Sequence, residues 1–81
     1  MKLMKGDVLD LAEAVRLARS GKARDLRRRC GVDASAIGAV CGVTGGAITR
    51  WENGERRPTG KAAIAWVRLL RELSDAEQGS R

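Results

Sequence analysis

An 81-residue chain without Phe, Tyr or His has to build its core from Leu, Val, Ile, Ala, two Trp and two Cys, a palette of mostly small side chains that suits close helix packing. With a single Pro, and with β-branched residues scattered rather than alternating in runs, a sheet is excluded and the expected architecture is one all-α domain over residues 1–81. Sixteen Lys and Arg against ten Asp and Glu give a net charge of +6, which attracts polyanions, and nucleic acid is the commonest of these inside cells.

Punctuation along the chain predicts a compact bundle of about five short helices. Asp7 is the expected N-cap of the first, about 7–19, with Val8, Leu11, Val15 and Ala18 on its inward face and Ser20–Gly21 at its end. The second runs from Lys22 to Cys30, with Ala23, Leu26 and Cys30 at helical spacing and Gly31 as the stop. Asp33 caps a third, in which Ile37, Val40 and Cys41 are expected to face inward, and Gly42 closes it. Thr44 caps the fourth, with Ala47, Ile48 and Trp51 inward and Asn53–Gly54 as its end. A basic loop, Glu55 to Pro58, leads to Thr59, the cap of a last helix striped with Ala62, Ala63, Trp66, Leu69, Leu70 and Leu73. Residues 75–81 are expected to fray.

The stretch of about 33–53 holds two short helices joined by Gly42-Val43-Thr44. This is the pattern of a helix-turn-helix: Gly42 supplies the turn, Val43 plugs the junction and Thr44 caps the second helix. Gly38 lacks a side chain where the two helices should cross most closely. Basic residues crowd two places, Arg16, Arg19, Lys22, Arg24, Arg27, Arg28 and Arg29 in one, and Arg50, Arg56, Arg57 and Lys61 in the other.

Arg27, Gly31-Val32-Asp33, Ile37-Gly38, Gly42-Val43-Thr44, Ile48 through Gly54 and Arg57-Pro58 together resemble the Cro/cI (XRE, lambda-repressor-like) family over about Lys22 to Leu73. Trp51-Glu52-Asn53-Gly54 followed by a basic residue and Pro is the most specific part. The resemblance implies four or five helices packed around the helix-turn-helix, with a recognition helix at 45–53 entering the major groove of duplex DNA. It also implies that Arg27 and Glu52 pair in a partly buried salt bridge. Ala34 stands where the family usually has a phosphate-contacting Gln, and Gly38 where it has Ala, which weakens that helix by roughly 1 kcal/mol. The family's helix after the last apolar stripe has no counterpart, and the helix at 7–19 is extra.

Base contact is expected from Thr44, Gly45, Gly46, Thr49 and Arg50. The two glycines offer only backbone but let the helix sit deep, so that direct readout falls on Arg50, suited to guanine, and on the threonines. Phosphate contact is expected from Asp33 and Ala34 at a helix start and from Asn53, Arg56, Arg57 and Lys61 beyond the recognition helix. Arg28 and Arg29 either join them or solvate the outer face of their helix. Trp51 and Trp66 fall on apolar stripes and are core residues rather than stacking platforms.

The expected function is a sequence-specific transcriptional regulator, Cro-like or a minimal repressor of a phage or bacterium. The alternative is an antitoxin-type module that binds a protein partner through its N-terminal helix. A homodimer is a further expectation, through that helix or the one bearing Trp66. No enzyme is expected: there is no His, no paired carboxylates in a cleft, and Gly42–Gly46 lacks the Lys of a nucleotide-binding loop. Without CxxC or His neither metal nor cofactor is expected, and Cys30 and Cys41 are core thiols. Met1–Gly6 leads into Asp7 and Asp10 rather than an apolar run, so no signal or membrane span is expected and the setting is cytoplasmic.

Overall fold

The computed structural model describes residues 2–79, and they are all-helical: α1 (Lys5–Ser20), α2 (Lys22–Arg29), α3 (Ala34–Cys41), α4 (Gly45–Glu52) and α5 (Gly60–Gly79). The long α5 is the spine. Its Ala63, Trp66, Val67 and Leu70 are buried, and α1, α2 and α3 pack on it. Trp66 lies 5.2 Å from Trp51 of α4, ring centre to ring centre, at a tilt of 58°. With no Phe or Tyr available, this tilted pair is the one large aromatic contact in the core, and its geometry is the one that ring quadrupoles favour. Ala14, Ala18, Ala23, Ala47 and Ala63 are buried around it, and their small side chains let the helices approach closely.

Several local expectations change. Asp7 is not the cap of α1. Met4 occupies that position, and Asp7 reaches back from the first turn to accept the Met4 backbone N–H at 3.0 Å. The inward line of α1 runs through Asp10, Ala14 and Ala18, which are buried; Leu11 and Val15 flank it half-buried, and Val8 stands 53% exposed. Charge explains the shift, because Arg68 and Arg71 of α5 hold Asp7, Asp10 and Glu13 against them at distances of 2.7 to 3.1 Å. Val40 was expected inside and is 66% exposed, since α3 turns Ile37, Gly38 and Cys41 to the core and leaves Val40 on its outer face. Residues 75–79, expected to fray, continue α5, where Glu77 takes a bidentate pair from Arg29 at 2.9 and 3.1 Å. The rest of the expected frayed stretch, 80–81, lies outside the described residues.

Candidate nucleic-acid interface

The geometry of α3 and α4 is set by three glycines. Gly42 ends α3 at φ 80°, a left-handed conformation that side chains resist, and its neighbour Val43 returns its N–H to the Gly38 carbonyl at 2.9 Å. A Cβ on Gly38 would stand 2.6 Å from the Val43 carbonyl oxygen, so the turn can fold onto α3 only where no side chain intervenes. Thr44 then starts α4 by accepting the Ala47 N–H on its hydroxyl at 3.1 Å.

The two glycines at the start of α4 have different surroundings. Gly46 is exposed, and a Cβ there would meet nothing closer than the Thr44 hydroxyl at 3.7 Å. Gly45 is turned toward α3, where a Cβ would lie 2.8 Å from Ser35 Oγ and 3.0 Å from the Ser35 backbone. The missing side chain of Gly46 thus leaves open space on the outer face, while that of Gly45 makes room for α3. This contact brings the N-termini of α3 and α4 side by side. The first-turn N–H groups of Ala34, Ser35, Gly45 and Gly46 have no carbonyl in their own helix to reach, and both dipoles favour negative charge there. Asp33 precedes α3 and caps it with its carbonyl, which accepts from Ala36 and Ile37; its side chain makes no capping bond.

The outer face of α4 presents Thr44, Gly46, Thr49 and Arg50, all exposed. The Thr49 hydroxyl donates to the Gly45 carbonyl at 3.1 Å, which holds its rotamer. Asn53, Arg56 and Arg57 follow α4, exposed, and the loop is tied back by the N–H groups of Glu55 and Arg56, both donating to the Arg50 carbonyl. Lys61, grouped with them from sequence, lies instead beside Asp7, Ile64 and Arg68 where α5 meets the start of α1.

Behind this face, Arg27 grips Glu52. Its Nε and Nη2 donate to the two carboxylate oxygens at 2.6 and 3.0 Å, and Nη1 donates to the Val32 carbonyl at 3.0 Å. Glu52 is only 4% exposed. The hydrogen bond to Glu52 raises the Arg27 pKa above its ordinary value, against the opposing effect of burial. The pair fastens the last turn of α4 to α2 and to the segment entering α3, so it fixes the pose of α4 and presents nothing outward.

The arginines thus fall into two groups. Arg24, Arg27, Arg29, Arg68 and Arg71 face carboxylates within 4 Å. Arg16, Arg19, Arg28, Arg50, Arg56 and Arg57 form no ion pair among the described residues, and four of these, Arg19, Arg50, Arg56 and Arg57, lie on α1's last turn, on α4 and on the loop after it. Sequence reasoning grouped Arg19 only with a basic run; its position beside the loop emerges from the fold. Among the described residues no three His, Cys, Asp or Glu are placed to hold a metal, and no helix is long and apolar enough to cross a membrane.

Comparison with known proteins gives one match. The family model described as a helix-turn-helix domain matches residues 20–79, which takes in α2 to α5 and only the last residue of α1. No curated protein and no solved structure matches the chain significantly.

Proposed function

Because the chain belongs to the helix-turn-helix domain family, we propose that it is a sequence-specific duplex-DNA-binding transcription regulator of the Cro-like or minimal-repressor kind, with α4 in the major groove. The observation that carries this reading is the outer face of α4, where Arg50 stands exposed and without an ion pair among side chains short enough to let the helix approach base edges. Arg50 is the base reader, with a two-pronged match to guanine worth about 1–3 kcal/mol of discrimination. Thr44 and Thr49 offer methyl groups to thymine. Gly46 keeps the helix close to the groove floor, and Gly45 acts through its contact with α3. The amides of Ala34 after Asp33, together with Asn53, Arg56 and Arg57, hold phosphates on either side. Lys61, at the start of α5 beside Asp7, holds a phosphate farther from α4.

Selection from randomised duplexes at about 150 mM salt, where non-specific binding is weak, tests the reading. An enriched motif containing guanine is expected, and its guanine preference should vanish in Arg50→Ala. Enrichment that survives Arg50→Ala unchanged rejects Arg50 as the reader. Mirrored half-sites about one helical turn apart assign a homodimer, and one asymmetric site a monomer.

A second reading is favoured by one observation. Leu3, Met4, Val8 and Leu9 are 44% to 66% exposed at the start of α1, outside the matched family domain. An antitoxin-type role would cover them with a protein partner. A selection that enriches no DNA sequence favours it.

A further inference from the structure

Three arginines line one hollow where α1 meets the loop after α4. Arg19, in the last turn of α1, shares a hollow of about 140 Å³ with Arg56 and Arg57, floored by Val15, Ala18 and Pro58. No acidic side chain lines it. All three arginines are exposed and form no ion pair among the described residues, as also holds for Arg16 and Arg28, whereas five other arginines of this small chain have carboxylates within 4 Å. The backbone on both sides is held in place. The loop is anchored by the Glu55 and Arg56 N–H groups on the Arg50 carbonyl, and a Cβ on Gly54 would stand 3.5 Å from the Ala18 carbonyl oxygen. Like charges gathered over an apolar floor repel one another until an anion sits among them. Guanidinium groups take phosphate oxygens in pairs, with two parallel N–H donors each.

We propose that Arg19, Arg56 and Arg57 form one binding site for a backbone phosphate of duplex DNA, so that α1 extends the DNA footprint beyond the helix-turn-helix domain. The matched domain begins one residue after Arg19, and the site is therefore shared between the domain and the helix added to it. The inference rests on the DNA-binding reading above, because the loop that supplies Arg56 and Arg57 leaves directly from α4. Arg19 contributes affinity without base preference, as phosphate contacts do. It also gives the C-terminal end of α1 a role distinct from that of its exposed apolar start.

The test uses the full chain, its Arg19→Ala, Arg19→Lys and Arg56→Ala variants, and a duplex carrying the selected site, titrated over a salt series. Arg19→Ala should weaken binding several-fold and make the slope of log affinity against log salt shallower by up to about one, with the preferred sequence and the thermal midpoint unchanged. Arg56→Ala should do the same, and Arg19→Lys should recover the slope. Ethylation of one phosphate should impair binding by the unsubstituted chain more than binding by Arg19→Ala, which keeps only Arg56 and Arg57 on it. If Arg19→Ala keeps the full salt slope while Arg56→Ala loses about one, the inference is overturned and the DNA-binding reading stands. If the unsubstituted chain binds no duplex, both fall. If inorganic phosphate binds the unsubstituted chain but not Arg19→Ala, while Arg19→Ala binds the duplex with undiminished affinity and salt slope, the site takes free anions and the assignment to DNA is overturned.

Discussion

Where α3 crosses α4, shape sets the geometry; where α1 lies along α5, charge does. At the first crossing, Gly38 faces the Val43 carbonyl and Gly45 faces Ser35 with no space for a methyl group, and the buried Arg27–Glu52 pair locks the far end of α4. At the second, three carboxylates spaced along α1 meet two arginines spaced along α5. Arg68 and Arg71 are about half exposed, so this contact stays open to solvent. Contacts of the first kind tolerate almost no change in volume and little notice salt or pH. Those of the second kind tolerate changes of shape and respond to solution conditions. The proposed recognition surface stands on the rigid crossing, and the helix outside the matched domain is fastened by the responsive one.

The largest expected effect is at the lock. Glu52→Ala leaves the Arg27 guanidinium partly buried without its partner, and the fold should lose about 3–5 kcal/mol in chemical denaturation. Replacing both residues with apolar ones of similar volume should restore much of that loss, because neither charge then has to be held out of water. A Glu52→Ala variant as stable as the parent would mean that the pair contributes no rigidity to α4.

Glycine substitutions should separate neighbouring positions by sign. Gly38→Ala pushes a methyl group onto the Val43 carbonyl and should cost about 2 kcal/mol despite its better helix propensity. Gly46→Ala meets open space and should gain up to about 1 kcal/mol. Thermal denaturation of the two variants measures both; equal effects would refute the tight crossing.

A further effect is tied to pH. Burial pushes the Asp10 carboxyl up, but hydrogen bonds from Arg71 and Arg68 outweigh it and hold its pKa below the ordinary value of 3.8. In the unfolded chain Asp10 therefore takes up its proton at a higher pH than in the folded one. The stability it contributes is complete above about pH 4 and fades as pH falls through the folded value. Asp10→Asn should cost about 1–2 kcal/mol at neutral pH, with the difference from the parent shrinking in acid. In hydrogen exchange, α1 should open more readily than α4 as acid or salt rises, and the reverse order would break the contrast between the two crossings.

The helix-turn-helix was legible because its signals are local. A left-handed glycine, a threonine cap and a short apolar period each act within a few residues, and Gly42, Thr44 and the line Ala47–Ile48–Trp51 appear in the structure where the sequence puts them. The first helix was less legible. Its apolar period pointed to Val8, whereas its buried line runs through Asp10, because the partner face carries arginines and no pattern within α1 reveals that. Val40 was misjudged for a related reason: an eight-residue helix offers too few turns for its period to say which of two adjacent apolar residues points in. At the candidate site, Arg50, Arg56 and Arg57 could be named from position alone, but Lys61 and Arg19 changed places as neighbours of the loop once the chain folded.

By itself the sequence determined that this chain is helical, basic and punctuated as a helix-turn-helix, since composition and caps act through the backbone close at hand. Only the tertiary structure decided which arginines pair with carboxylates and which have no ion pair among the described residues. That division depends on contacts as distant in sequence as Asp10 with Arg68 and Arg29 with Glu77, and on the loop that brings Arg56 and Arg57 beside Arg19. A charge has no address until its neighbours across the fold are known, because Coulomb attraction depends on separation in space and not along the chain.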